Sequence, residues 1–340
     1  MKSLIKKIKI IYWYNGLLEI NKFKTAYQLE KFYEPESFYY PKEGGTEYRN
    51  KWAKYRDGKH APNADLIGKV ESRSHGSSSE FNHPFWQVLL LQQTNTIDLD
   101  YWFKQLDLET QLLFSGNVKK GGLLTKGRKS FYDFKLADKL LRQSNLDTLT
   151  ALILYWHEAR LDANSFFQSR VAKYIYKSLL IMAPYFERRG VAGEIYQVLS
   201  ELIFKKTSWD DYIFCESLDY FRISYKVLDY EWCKANKASL DDVNKSIMFG
   251  YRGVFDSAFS LMFLPNWIYG PPMKFDYIAW KEKFTLWMWG WHALAEGFNL
   301  NYGQFCNHIE QNNIMPSSVE FLNEFILLHY GFYLRERNLS

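Results

Sequence analysis

Apolar positions recur at helical spacing through most of this chain. In LDTLTALILYWHEARL, Leu149, Leu152, Ile153 and Trp156 stand at i, i+3, i+4 and i+7, which predicts one buried stripe on a helix. SFFQSRVAKYIYKSLLIMAPYF continues with a helix that Pro184 is expected to end or kink, because proline has no amide proton to donate. The last helical pattern, SSVEFLNEFILLHYGFYLRER, begins at a serine N-cap and places Arg335 and Arg337 near its C-terminus, where the helix dipole favours cations. The first 45 residues are mixed. Within them IKIIYWY is rich in β-branched and aromatic residues, which favours a strand over a helix start. EPESFYYPKEGG carries two prolines and two glycines and reads as a loop. Residues 46–57 then read as a helix closed by Gly58. A second helix is expected from Ala64 to Arg73 with Asn63 as its N-cap, and a third begins at Pro84. No fixed-period repeat and no alternation of strands with helices is present. The expected class is mainly α. A small basic N-terminal helical region (1–115) is followed by a Gly/Lys-rich linker (116–130) and a larger α-helical domain (131–340).

Composition narrows the classes. Hydrophobic residues make up 47% of the 340, which excludes wholesale disorder. Cys215, Cys233 and Cys306 show neither CxxC nor Cys/His spacing, so no disulfide framework or zinc knuckle is expected. Lys6, Lys7 and Lys9 interrupt the apolar run at the N-terminus too early for a signal sequence, and no uninterrupted apolar run is long enough to span a bilayer. The reading is a cytoplasmic protein with no membrane partner. Charge is uneven along the chain. Residues 1–140 carry 23 Lys and Arg against 16 Asp and Glu, a net of +7. The remainder carries 20 against 22, a net of −2. The N-terminal part is therefore the expected partner of a polyanion.

The stretch RNKWAKYRDGKHAP concentrates that charge. At about 100° per residue, Tyr48, Trp52 and Tyr55 fall within about 60° of one another and form a stripe to be buried. Arg49 and Arg56 flank it on one side, Lys51 and Lys54 on the other, while Asn50 and Ala53 point away. A DNA-reading helix needs such a layout, with cations placed for phosphates and short polar side chains placed for base edges. Asn50 suits adenine, Arg49 suits guanine or phosphate, and Lys59 extends the basic run. The loop KKGGLLTKGRK adds Lys119, Lys120, Lys126, Arg128 and Lys129 as candidate phosphate contacts, with glycines that permit close backbone approach. It lacks the GxxxxGK[ST] order of a nucleotide-binding loop.

NKWAKYRDGKHAPNADLIGKVE resembles the second half of a phage-repressor-like helix-turn-helix domain. In that family a helix ending in a basic residue and Gly is followed by Pro and an apolar-striped helix. Here Trp52, Tyr55, Arg56 and Gly58 precede Pro62, and Leu66, Ile67 and Val70 follow. The resemblance covers residues 46–71 and implies DNA binding by the helix from Tyr48 to Arg56.

Catalytic patterns fail one by one. His157-Glu158 begins an HExxH motif, but position 161 is Leu161; His157 then reads as a core or boundary histidine with its hydrogen bonds satisfied. Asp210 with Asp211, and Asp241 with Asp242, follow serines and read as helix N-termini. Asp276, Glu282 and Lys283 only imitate a nuclease cluster. His60, His75 and His83 read as polar loop residues. Trp280, Trp287, Trp289 and Trp291 mark an aromatic belt, and Trp287, Trp289 and Trp291 are its candidate partner contacts. The reading is a non-enzymatic DNA-binding protein or accessory factor: a regulator, or a mobile-element or phage-defence component. RNA is the alternative polyanion, and the C-terminal domain is expected to bind a protein partner or a second copy. A helical adaptor without nucleic-acid contact is the rival, and a hydrolase with a scattered site the third reading. No catalytic residue, cofactor or metal is expected.

Overall fold

The computed structural model describes residues 1–39, 47–48, 50–91, 97–120, 123–129, 131 and 134–208, then 212–214, 218, 221–222, 225 and 263–265. The chain divides into two compact units, Met1–Lys206 and Thr207–Ser340. In the second, strands Tyr212–Phe214 and Phe263–Pro265 pair antiparallel. Cys215, Cys233, Cys306, both aspartate pairs, the 276–283 cluster, the tryptophans from Trp280 to Trp291 and the expected C-terminal helix all lie outside the described residues.

The first unit is mainly α. It opens with a 20-residue helix, α1 (Lys2–Asn21), where the β-branched run favours a strand. Burial decides the outcome. Ile5, Ile8, Tyr12, Trp13 and Leu17 are all buried, a helical recurrence that period-two alternation would have split across two faces. A capping box at Thr25 and Gln28 starts α2 (Ala26–Tyr33). The two-residue strands β1 (Phe38–Tyr39) and β2 (Glu47–Tyr48) pair antiparallel, so Tyr48 belongs to a strand. Helix α3 (Lys51–Arg56) follows and is shorter than the expected 46–57. Then come α4 (Ala64–Arg73), α5 (Ser77–Phe81), α6 (Pro84–Val88), α7 (Leu99–Phe103) and α8 (Leu108–Phe114). Asn63 caps α4 as expected, its Oδ1 accepting from the Leu66 amide at 3.0 Å.

The Gly/Lys-rich stretch expected to be a linker is an antiparallel hairpin, β3 (Ser115–Lys120) with β4 (Leu123–Arg128), and it lies inside the first unit. Its strands pair in register from Ser115 opposite Arg128 to Lys120 opposite Leu123. The single-residue pattern does not distinguish that from an open linker. Helices α9 (Phe134–Gln143), α10 (Leu146–Leu161), α11 (Ser165–Arg188) and α12 (Ala192–Leu202) complete the unit with a 3-10 turn, Phe204–Lys206. Helix α10 buries the predicted stripe and most of its other positions as well, the signature of a central helix covered on all sides. Helix α11 runs through Pro184 to Arg188 instead of ending there. Packing on α10 and α12 holds the turn despite the missing amide.

Two aromatic cores organise this unit. Trp13 of α1 and Tyr33 of α2 stack on Trp52 of α3, with interplanar angles of 21° and 13°, and Tyr55 and Phe81 meet the cluster edge-on. The second core surrounds α10 and α11. Tyr12 links α1 to α11 through a 2.6 Å hydroxyl hydrogen bond with Tyr185. Arg189 is buried between them, paired with Glu80 at 2.9 Å.

Candidate nucleic-acid interface

Helix α3 has six residues, too few to be stable alone. Its position is imposed by α2. Asn50, at φ 50°, offers no side-chain cap to the first amides of α3. The fully buried Glu30 carboxylate does so instead, accepting from the Lys51 amide at 3.2 Å, the Trp52 amide at 3.5 Å and the Ser37 hydroxyl at 3.4 Å. Just past the end of α2, its C-cap residue Glu34 accepts from Lys51 Nζ and from Trp52 Nε1, both at 2.9 Å. An anion at a helix N-terminus satisfies free amides and meets the positive end of the dipole. Two carboxylates four residues apart, Glu30 on α2 and Glu34 at its C-cap, thus clamp α3 in place.

The far end of α3 closes as a left-handed cap. Gly58 at φ 66° donates to the Tyr55 carbonyl at 2.9 Å, and Lys59 donates to the Lys54 carbonyl at 2.8 Å. This turn lies directly against α1. A Cβ placed on Gly58 would lie 2.5 Å from Lys7 Cγ and 3.1 Å from the Lys7 carbonyl oxygen. Pro62 is buried just beyond.

The predicted basic residues separate into distinct environments. Lys54, Arg56 and Lys59 are exposed around the C-terminal end of α3, and Asn50 is exposed at its start. Arg56 and Lys59 share Asp57, at 3.0 and 2.8 Å. These pairs are solvated, and such ion pairs are worth little against a phosphate. Together they hold the Asp57 carboxyl below its usual range, Lys59 contributing more. Lys51 is the exception on α3. Burial lowers its ammonium pKa, but the Glu34 hydrogen bond and charge outweigh this, so the net shift is upward and the group is committed within the fold. Arg49 lies outside the described residues.

The hairpin contributes less than the sequence suggests. Arg128 is a poor phosphate ligand here. Its guanidinium binds Glu158 through two hydrogen bonds, at 2.7 and 3.1 Å, and lies over the Phe103 ring at 4.1 Å. A cation with a bidentate carboxylate and an aromatic face is already saturated. Lys129 tucks its stem against Gly116, and its carbonyl accepts from Tyr155 at 2.7 Å. The backbone of Lys119, Lys120 and Lys126 forms the hairpin, and their side chains lie outside the described residues.

Sequence reasoning misses α1. Lys2, Lys6 and Lys7 are exposed on it, and Lys7 lies against the Gly58 turn beside Lys59. In the sequence they stand only as interruptions of an apolar run. Once that run is helical, their i, i+4 spacing identifies a solvated face. Among the loop histidines, His60 and His75 are exposed. His83 is structural. Its Nδ1 accepts from the Phe85 amide at 3.1 Å, so Nε2 carries the proton and donates to Asp147 at 3.1 Å.

Among the described residues no group of His, Cys, Asp and Glu is arranged to hold a metal, and no helix is long and apolar enough to cross a membrane. No protein-family model, curated protein or solved structure matches the chain.

Proposed function

We propose that this chain is a non-enzymatic DNA-binding protein that meets the phosphate backbone with the C-terminal end of α3. One observation carries the reading. Trp52 and Tyr55 are locked inward, while Lys54, Arg56 and Lys59 are exposed together at a rigid turn that also adjoins Lys7. A short clamped helix presents these cations without further ordering cost, which favours binding to a polyanion. Asn50 is the candidate base-reading residue at the other end, in keeping with the helix-turn-helix resemblance of residues 46–71. Arg128 and Lys51 contribute to stability instead.

The test is binding of duplex DNA, and of RNA of the same length, across a salt series. The variant Lys54→Ala/Arg56→Ala/Lys59→Ala lowers the slope of log affinity against log salt by about 1 for each phosphate that is no longer neutralised. All three side chains are exposed, so the variant stays folded. Absence of wild-type binding to either nucleic acid at low salt refutes the proposal. The adaptor reading rests on a different surface. Leu108 and Leu112, one turn apart on α8, are 71% and 64% exposed, an apolar pair suited to a protein partner.

A further inference from the structure

Helix α10 carries two polar side chains with buried nitrogens that have no hydrogen-bond partner. His157 is 1% exposed, and neither ring nitrogen is satisfied. The expectation of a satisfied core histidine therefore holds for its burial and fails for its hydrogen bonds. Nearly one turn further on, Arg160 buries Nε and Nη2, and both lack an acceptor. Those two nitrogens are the side-on fork of the guanidinium, which matches a pair of oxygens on a carboxylate or a phosphate. Lys206, in the 3-10 turn after α12, adds positive charge at His157. Glu158, two residues before Arg160, is engaged by Arg128 at 2.7 Å. The carbonyl end of α10 favours a cation nearby, but it leaves the Arg160 fork empty. A buried donor pair of this geometry beside the unsatisfied His157 ring has the chemistry of a site for an anion.

We propose that Arg160 and His157 form a binding site for one small oxyanion, a phosphate or carboxylate group. The Arg160 fork takes two of its oxygens and a His157 N–H supplies a third donor. The site shares no residue with the α3 surface and stands or falls independently of DNA binding.

The test uses the full chain with inorganic phosphate, acetate and chloride at matched ionic strength. Phosphate or acetate is expected to raise the unfolding temperature beyond chloride, and the more effective of the two identifies the chemistry of the natural ligand. Arg160→Lys keeps the charge but loses the fork, and it weakens binding about tenfold or more by titration calorimetry. In wild-type protein the His157 ring nitrogen resonances, identified by their loss in His157→Leu, shift as the effective anion is added. That measurement needs no Arg160 variant to fold. Equal effects of all three salts, an undiminished affinity in Arg160→Lys, or unmoved His157 resonances would overturn the site.

Discussion

His157 sets a limit on the acid stability of the first unit. Burial is the main reason its imidazole pKa falls to about 3, and the charges of Arg160 and Lys206 push it the same way. The unfolded chain titrates near the ordinary histidine value of about 6.5. Between those two values the unfolded state holds more protons than the native state, so stability increases with pH. The contribution is complete above pH ~6.5 and is lost progressively as pH falls toward ~3. Lowering pH from 7.5 to 5 therefore costs about 2 kcal/mol from this group alone, with about 1.4 kcal/mol for each further unit. His157→Leu removes the titration and also removes two unsatisfied nitrogens, so it stays within about 1 kcal/mol of wild type at pH 7.5. The assay is urea unfolding of both proteins at pH 7.5, 6 and 5, in buffers free of phosphate and carboxylate. The stability difference between them should move by about 2 kcal/mol in favour of the leucine variant at pH 5. A difference that stays constant across the series would refute the buried, neutral histidine.

Two further predictions concern the α3 clamp. Glu30→Ala leaves the Lys51 and Trp52 amides without their carboxylate, and it should destabilise the unit by about 2 kcal/mol in urea unfolding, with Glu30→Gln intermediate. A loss below about 0.5 kcal/mol would show that water caps α3 equally well. Gly58→Ala forces a side chain into the left-handed region and against the Lys7 carbonyl, so it should cost at least about 1–2 kcal/mol by the same measurement. A neutral result would mean that the cap relaxes without strain.

The α3 interface shows what local pattern can and cannot resolve. The helix wheel buries Trp52 and Tyr55 and sets Lys54 and Arg56 on the flanks of that stripe; the two aromatics are buried and the two cations exposed, while Tyr48, placed in the same stripe, belongs to a strand. Lys51 is indistinguishable from Lys54 on that wheel. Only the packing of α2 places Glu34 beside one and leaves the other exposed. Arg128 likewise reads as a free cation in a basic loop, although its carboxylate partner sits 30 residues away on α10. The Lys7 contribution is invisible for the same reason, because its neighbour Gly58 lies 51 residues along the chain.

By itself the sequence determined the helical class, the N-cap at Asn63, the turn at Gly58 and the central stripe of α10. Each of these depends on residues within about one or two turns of one another. The tertiary structure decided that α1 is a helix despite its β-branched run, that α11 continues through Pro184, and that the basic Gly-rich stretch is a hairpin. In each case packing energy over many residues exceeded a local preference of at most a few kcal/mol. It also decided which cations are exposed and which are bound, and it left the Arg160 fork and His157 buried without a partner. The charge state and partners of a side chain depend on what is folded against it, and that information is spread along the chain rather than held in any one stretch of it.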